Sequence, residues 1–207
     1  MDIPIKTSNP LGVAVVAFVA GMSTLFFATY ERTAAIEGGY SNHADDLGGK
    51  TMHGITEGVA RDAGYEGAIA AMPETTAVRI AWERYWQPLH LDSIAATDSA
   101  YTVLASGLYD YAFNTGPLRA GKALQRCLNS LNRRGELWPD VAVDGVVGSV
   151  TLAAFHSYAA FRGADGAPAL TVCVKSVQGE WYLTISEIRP ENQTFTQGWY
   201  DRLARYE

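Results

Sequence analysis

The chain has 207 residues, of which 48% are hydrophobic and 18% charged, so most of it can bury a core and extended disorder is excluded. The net charge is −6 and no basic run occurs, which removes the electrostatic footprint that nucleic-acid binding needs. The two cysteines, Cys127 and Cys173, cannot make a zinc site by themselves, and no CxxC or HExxH pattern assists them. They read either as buried small hydrophobes or, in an oxidising compartment, as a disulfide.

In chain order, the first element is apolar. No charged residue occurs between Lys6 and Glu31, and Leu11 to Tyr30 would span about 30 Å as a helix, the thickness of a bilayer core. Gly12, Ala20, Gly21, Ser23, Thr24, Ala28 and Thr29 dilute the segment, so its insertion would be marginal. A membrane anchor over residues 1–30 is the reading adopted. A cleavable signal peptide and a helix inside a soluble core are its rivals, the first weakened because no A-x-A site closely follows the apolar run. Lys6 before the segment favours a cytoplasmic N-terminus.

The next stretch, Glu37 to Thr56, carries five glycines within 18 residues, which excludes a regular helix across it. It reads as the end of a helix over Thr33 to Glu37, followed by tight turns and a small irregular hairpin. A carboxylate thus sits at a helix terminus, and another, Asp46, on a loop nine residues later. Glycosidic cleavage uses such a pair: one carboxyl stays protonated to serve the leaving oxygen, and the other stays ionised in a wetter place. By chemistry alone, solvated turn carboxylates or a calcium loop compete with this reading. The calcium ligand alternation is missing.

The string resembles the glycoside hydrolase family 108 muramidases, whose signature runs E-G-G-Y-x-N-x-x-x-D-x-G-G-x-T-x-x-G-I-T. Every fixed position is met, from Glu37 through Gly48, Gly49 and Thr51 to Thr56. The resemblance implies Glu37 as general acid, Asp46 as second carboxylate and Thr51 as the hydroxyl that positions water. Tyr40, Asn42 and His53 become candidate glycan contacts. His43 and Ala44 depart from the Asp and Pro common in the family, and Asp45 sets a second acid beside Asp46. Register favours Asp46, with Asp45 the alternative.

Further on, Trp82, Tyr85, Trp86 and Leu89 recur at i, i+3, i+4 and i+7, the stripe of a helix that ends near Pro88. Arg84 to Pro88 is similar to the family's RYWxP element. Leu104, Leu108 and Ala112 mark another helix, running into Tyr109 to Pro117, which resembles the family's D-x-A-x-N-x-G-P segment. There Tyr111 and Asn114 are candidate sugar contacts, although an Asn beside a Gly-Pro turn is ordinarily a cap. Leu118, Leu124, Leu128 and Leu131 continue as an amphipathic helix. Val143 to Leu152 resembles the DGxxG-x-x-T-L motif of peptidoglycan-binding modules. Its physical content is a turn set by Asp144 and Gly145, with Ser149 placed to cap the next helix. Phe195, Trp199 and Leu203 share one face of a last helix, similar to the family's F-x-x-GW ending.

The fold expected is mainly α (α+β) and lysozyme-like: helical, with a small irregular β-hairpin at the active site and an N-terminal apolar helix. Three regions follow: an anchor over 1–30, a muramidase lobe over 31–113 and a helical peptidoglycan-binding-like lobe over 114–207. The resemblance implies a monomeric phage endolysin that cuts the β-1,4 bond between N-acetylmuramic acid and N-acetylglucosamine, without metal or cofactor. Its partners would be peptidoglycan strands and, before release, the inner membrane. The N-terminus would be cytoplasmic and the body periplasmic until the released enzyme lyses the host. The short interval between Tyr30 and Glu37 suits the signal-anchor-release design, in which collapse of the membrane potential frees the enzyme. A lytic transglycosylase, or a non-catalytic wall-binding protein, is the alternative.

Overall fold

The computed structural model describes residues 21–37, 40–41 and 49–205. Residues 1–20 of the expected anchor lie outside them, as do Asn42 and Asp46. Among the described residues no helix is long and apolar enough to cross a membrane. The chain is mainly helical, with one two-stranded antiparallel sheet, in keeping with a lysozyme-like α+β fold. Its contacts divide it into two compact units at Trp82 and Glu83.

In the first unit, α1 runs from Thr24 to Glu37. Ser23 starts it: its Oγ accepts from the Phe26 N–H at 3.2 Å, which satisfies one of the orphan donors of the first turn. Phe26, Phe27, Thr29, Tyr30 and Thr33 are buried, so the second half of the apolar segment supplies a core face. Phe26, fully buried, meets the Trp82 ring edge-on at 5.0 Å between centroids, the geometry that aromatic quadrupoles prefer.

Strand β1 (Thr51–Met52) pairs with β2 (Ile55–Thr56), and the fully buried Ile55 holds this hairpin to the core. Thr56 then caps α2 (Glu57–Asp62), its Oγ1 accepting from the Val59 N–H at 3.2 Å. One guanidinium, that of Arg61, closes the following loop. It donates to the carbonyls of Tyr65 at 2.6 Å and Gly67 at 2.7 Å while pairing with Glu57 one helical turn back. Helix α3 (Glu74–Ala81) buries Ala77, Val78, Ile80 and Ala81.

The stripe Trp82 to Leu89 departs from the α-helix that its spacing suggests. The chain forms a five-residue π-turn over Trp82–Trp86 and a 3-10 turn over Gln87–Leu89. Tyr85, Trp86 and Leu89 are still buried. Pro88 has no N–H to continue the ladder, and His90, at φ 51, ends the segment in the left-handed region. Burial of the large rings therefore decides the backbone winding here, and helical periodicity gives way to it.

The second unit continues with α4 (Leu91–Thr97), α5 (Thr102–Thr115), α6 (Pro117–Leu131), α7 (Ser149–Arg162), α8 (Gly166–Ile188) and α9 (Gln193–Ala204). Helices α5, α6 and α8 pack on one another, and α9 lies on α8. Leu104, Leu108 and Ala112 form the buried face of α5 as their spacing predicts. On α6, Leu124 and Leu128 are buried, but Leu118 is 57% exposed, because its place in the first turn faces outward while Ala120, Gly121 and Ala123 enter the core. Cys127 of α6 is disulfide-bonded to Cys173 of α8, with Cα atoms 5.9 Å apart.

Candidate functional site

Within the first unit, the signature residues gather around the hairpin. Helix α1 delivers the backbone of Glu37 at its last turn. A short distance on, Ser41 and Thr51 form an isolated antiparallel bridge: the Ser41 N–H donates to the Thr51 carbonyl at 3.0 Å and the Thr51 N–H to the Ser41 carbonyl at 2.9 Å. On its other edge β1 pairs Thr51 with Thr56. Thr51 is thus held from both sides, as the central position of a three-stranded patch. That arrangement fixes the direction of its half-buried side chain.

The turn between the strands is His53-Gly54, with φ of 53° and 74°. Two successive positive φ values make a two-residue hairpin of the primed type, whose twist matches that of the flanking strands. Glycine accepts this conformation freely, whereas His53 adopts it at a cost of about 1 kcal/mol. The Glu57 N–H donates to the Lys50 carbonyl at 2.8 Å, so the entry to α2 is tied to the start of the hairpin. Tyr40 stands 48% exposed beside the bridge. Asn42 and Asp46 fall between Ser41 and Thr51 in sequence and lie outside the described residues.

The remaining candidates belong to the second unit. Tyr111 is buried in α5, and desolvation pushes its hydroxyl up to about 12, against the opposing pull of Arg119 and Arg126. Asn114 is exposed, and its amide donates back to the Asp110 carbonyl at 2.7 Å, the capping behaviour expected near a Gly-Pro turn. Among the described residues no group of His, Cys, Asp or Glu is arranged to hold a metal.

The DGxxG motif resolves into a clamp. Gln125 of α6 donates to the Asp144 carboxylate at 2.8 Å and to the Val146 carbonyl at 3.1 Å, and accepts from the Gly145 N–H at 2.7 Å. The Asp144 carboxylate also accepts from the Val146 N–H at 2.8 Å, an Asx-type turn. The Gln125 bond, then the Val146 bond, hold this carboxyl below its ordinary range. Ser149 does not cap α7 as its position suggests. It is the first helical residue, and Gly148 takes the cap position without a side-chain bond. Helix anchoring falls instead to Thr151, whose Oγ1 accepts from Gln125 at 3.2 Å.

Residues 30–116 match the family model described as Glycosyl hydrolase 108, and residues 119–204 match the model described as Predicted Peptidoglycan domain. The solved structure titled "Structure of Brucella abortus SagA" is similar to this chain at 26% identity, covering 87% of this chain and 90% of that one, with a TM-score of 0.64. No curated protein matches the chain. The first match is to a glycosyl hydrolase model and the second to a peptidoglycan-domain model, and the chain is a glycoside hydrolase that degrades peptidoglycan.

Proposed function

We propose that this chain is a muramidase that hydrolyses the β-1,4 bond between N-acetylmuramic acid and N-acetylglucosamine. In this reading Glu37 protonates the leaving oxygen, Asp46 is the second carboxylate, and the Thr51 hydroxyl positions water. Tyr40, Asn42 and His53 of the first unit contact the glycan. The observation that carries the reading is the doubly paired Thr51 within the 30–116 match, five residues after Asp46 in sequence and beyond a helix that ends at Glu37. A side chain carried on backbone paired at both edges keeps its direction while substrate exchanges, which is what positioning a nucleophilic water requires.

We infer the wider role from the N-terminal segment and the disulfide. We assign the chain as a phage endolysin, with an anchor over 1–30, a muramidase lobe over 31–113 and a wall-binding lobe over 114–207. It is held in the host inner membrane, then released into the periplasm as a monomer to lyse the cell. The Cys127–Cys173 bond supports an oxidising compartment, where such links persist. The burial of Phe26, Phe27 and Tyr30 supports a released form in which the second half of the anchor packs on protein.

The test is mass spectrometry of fragments released from purified sacculi by the full chain and by Glu37→Gln. Reducing N-acetylmuramic acid ends are expected, falling about 10²–10⁴-fold in the variant, the usual worth of a general acid. Anhydro ends would make the chain a lytic transglycosylase, and undiminished release by Glu37→Gln would remove Glu37 from the chemistry.

A further inference from the structure

Helices α6 and α8 enclose a cavity of about 280 Å³ in the second unit. From α6 come Arg119, Lys122 and Arg126, at i, i+3 and i+7, hence on one face. From α8 come Glu180 and Trp181. The cavity therefore holds three cations against one carboxylate, in a chain whose net charge is −6. Such a local excess of the opposite sign requires an explanation that a solvated helix face does not supply.

The cations differ in their engagements. Arg126 donates to Glu180 at 3.1 Å and is balanced by it. Arg119 lies over the Trp181 ring, 3.7 Å from its centroid, a placement that fixes a long side chain without neutralising it. Among the described residues Arg119 and Lys122 form no ion pair. Two cations outside any ion pair thus stand one helical turn apart at the mouth of a cavity floored by Tyr111 and Ala123, Lys122 within the field of the Asp144 carboxylate.

Building on the reading that peptidoglycan is the substrate, we infer that this cavity binds the carboxylates of the wall's stem peptide. The uncharged glycan backbone offers Arg119 and Lys122 hydrogen-bond acceptors but no charge to pair with, and the Trp181 face that Arg119 covers is closed to a sugar ring. A stem peptide carries several carboxylates on a short chain. Arg119 to Arg126 spans about 10.5 Å of helix, the reach of about three extended residues. An aromatic-backed guanidinium is preorganised for a bidentate carboxylate, so little side-chain freedom is lost on binding. The catalytic domain would then act on glycan that the second unit holds by its peptides.

The experiment is calorimetric titration of the full chain with a synthetic stem tetrapeptide, its fully amidated form, and chitotetraose. The tetrapeptide is expected to bind with a salt-sensitive affinity, and amidation to weaken it at least about tenfold, as loss of charge-assisted bonds does. Arg119→Glu with Lys122→Glu should weaken it by the same amount or more; both residues are exposed, so the fold is spared. Glu180→Gln removes the carboxylate that balances Arg126 and should tighten binding about threefold, a gain that misfolding cannot imitate. The inference is overturned if the tetrapeptide fails to bind at millimolar concentration, if its amide binds equally well, if the charge reversals leave affinity unchanged, or if chitotetraose takes the same cavity. Digestion of sacculi by the same preparations separates this outcome from the muramidase reading. Muramic ends without tetrapeptide binding remove only the cavity's role, and binding without such ends removes only the reaction.

Discussion

The Arg202 Nε–H donates to Asp110 Oδ1 at 2.6 Å, and both side chains are buried, at 8% and 2% exposure. This pair joins α9 to α5 across 92 residues of sequence. Arg202→Ala would leave a carboxylate in a desolvated place, and a loss of about 3–5 kcal/mol is expected, read as a fall in the urea midpoint. Replacing both residues by Leu and Met should cost much less, because both charges then leave the interior together. Equal losses for the single and double variants would show that packing, and not charge, holds α9.

A second expectation concerns the clamp between the Asp144–Gly145 turn and α6. Gly145 has φ +89, and a Cβ there would run into the Leu118 carbonyl oxygen; a Cβ on Gly121 would run into the Gly145 carbonyl in turn. Gly145→Ala combines backbone strain with collision, and should cost about 3 kcal/mol. Gly148→Ala, where a Cβ meets nothing, serves as the control in thermal denaturation.

The pH dependence of the same clamp has a defined sign. The Asp144 carboxyl is held below its ordinary value of 3.8 by the Gln125 and Val146 donors. A carboxyl depressed in the folded state contributes stability above its unfolded value, and that contribution is lost as pH falls through the folded one. Asp144→Asn should therefore be less stable than the parent at pH 7. The gap between their urea midpoints should close as pH drops below 3.8. A gap constant down to pH 2 would place the effect of the substitution in the turn geometry.

The disulfide yields a further expectation. It closes a loop with a sequence separation of 46 residues, for which chain entropy gives about 4 kcal/mol of stabilisation. Reduction, or Cys127→Ser with Cys173→Ser, should lower the melting temperature of the second unit. Unchanged melting under reductant would mean that α6 and α8 are held by packing alone.

Much of this architecture is legible in the residues themselves. The glycines from Gly38 to Gly54 announce a break in helical structure, and the His53-Gly54 turn realises it as a primed hairpin. The apolar spacing of Leu104, Leu108 and Ala112 reports a buried helix face directly. The spacing of Trp82 to Leu89 reports burial but not winding, since a π-turn can present large rings to one side as an α-helix does. Ser149 has the chemistry of a cap, yet Gln125, 24 residues earlier, already organises that turn through tertiary bonds. The double pairing of Thr51 is beyond local reading, because its partner on one edge, Ser41, lies ten residues away in sequence. The cavity between α6 and α8 was hidden for a similar reason. Arg119, Lys122 and Arg126 look like an ordinary wetted stripe until Trp181 is brought opposite them.

Cys127 adjoins Arg126, and Cys173 lies on the helix that carries Glu180 and Trp181, so the covalent bond joins the two walls of that cavity. Walls tied in this way cannot drift apart between binding events, and a ligand entering them meets spacing already set. The ordering entropy that a loose groove would demand at each encounter is removed once, when the bond forms. Oxidation of the chain is thereby a step in making a receptor as well as in making a stable fold.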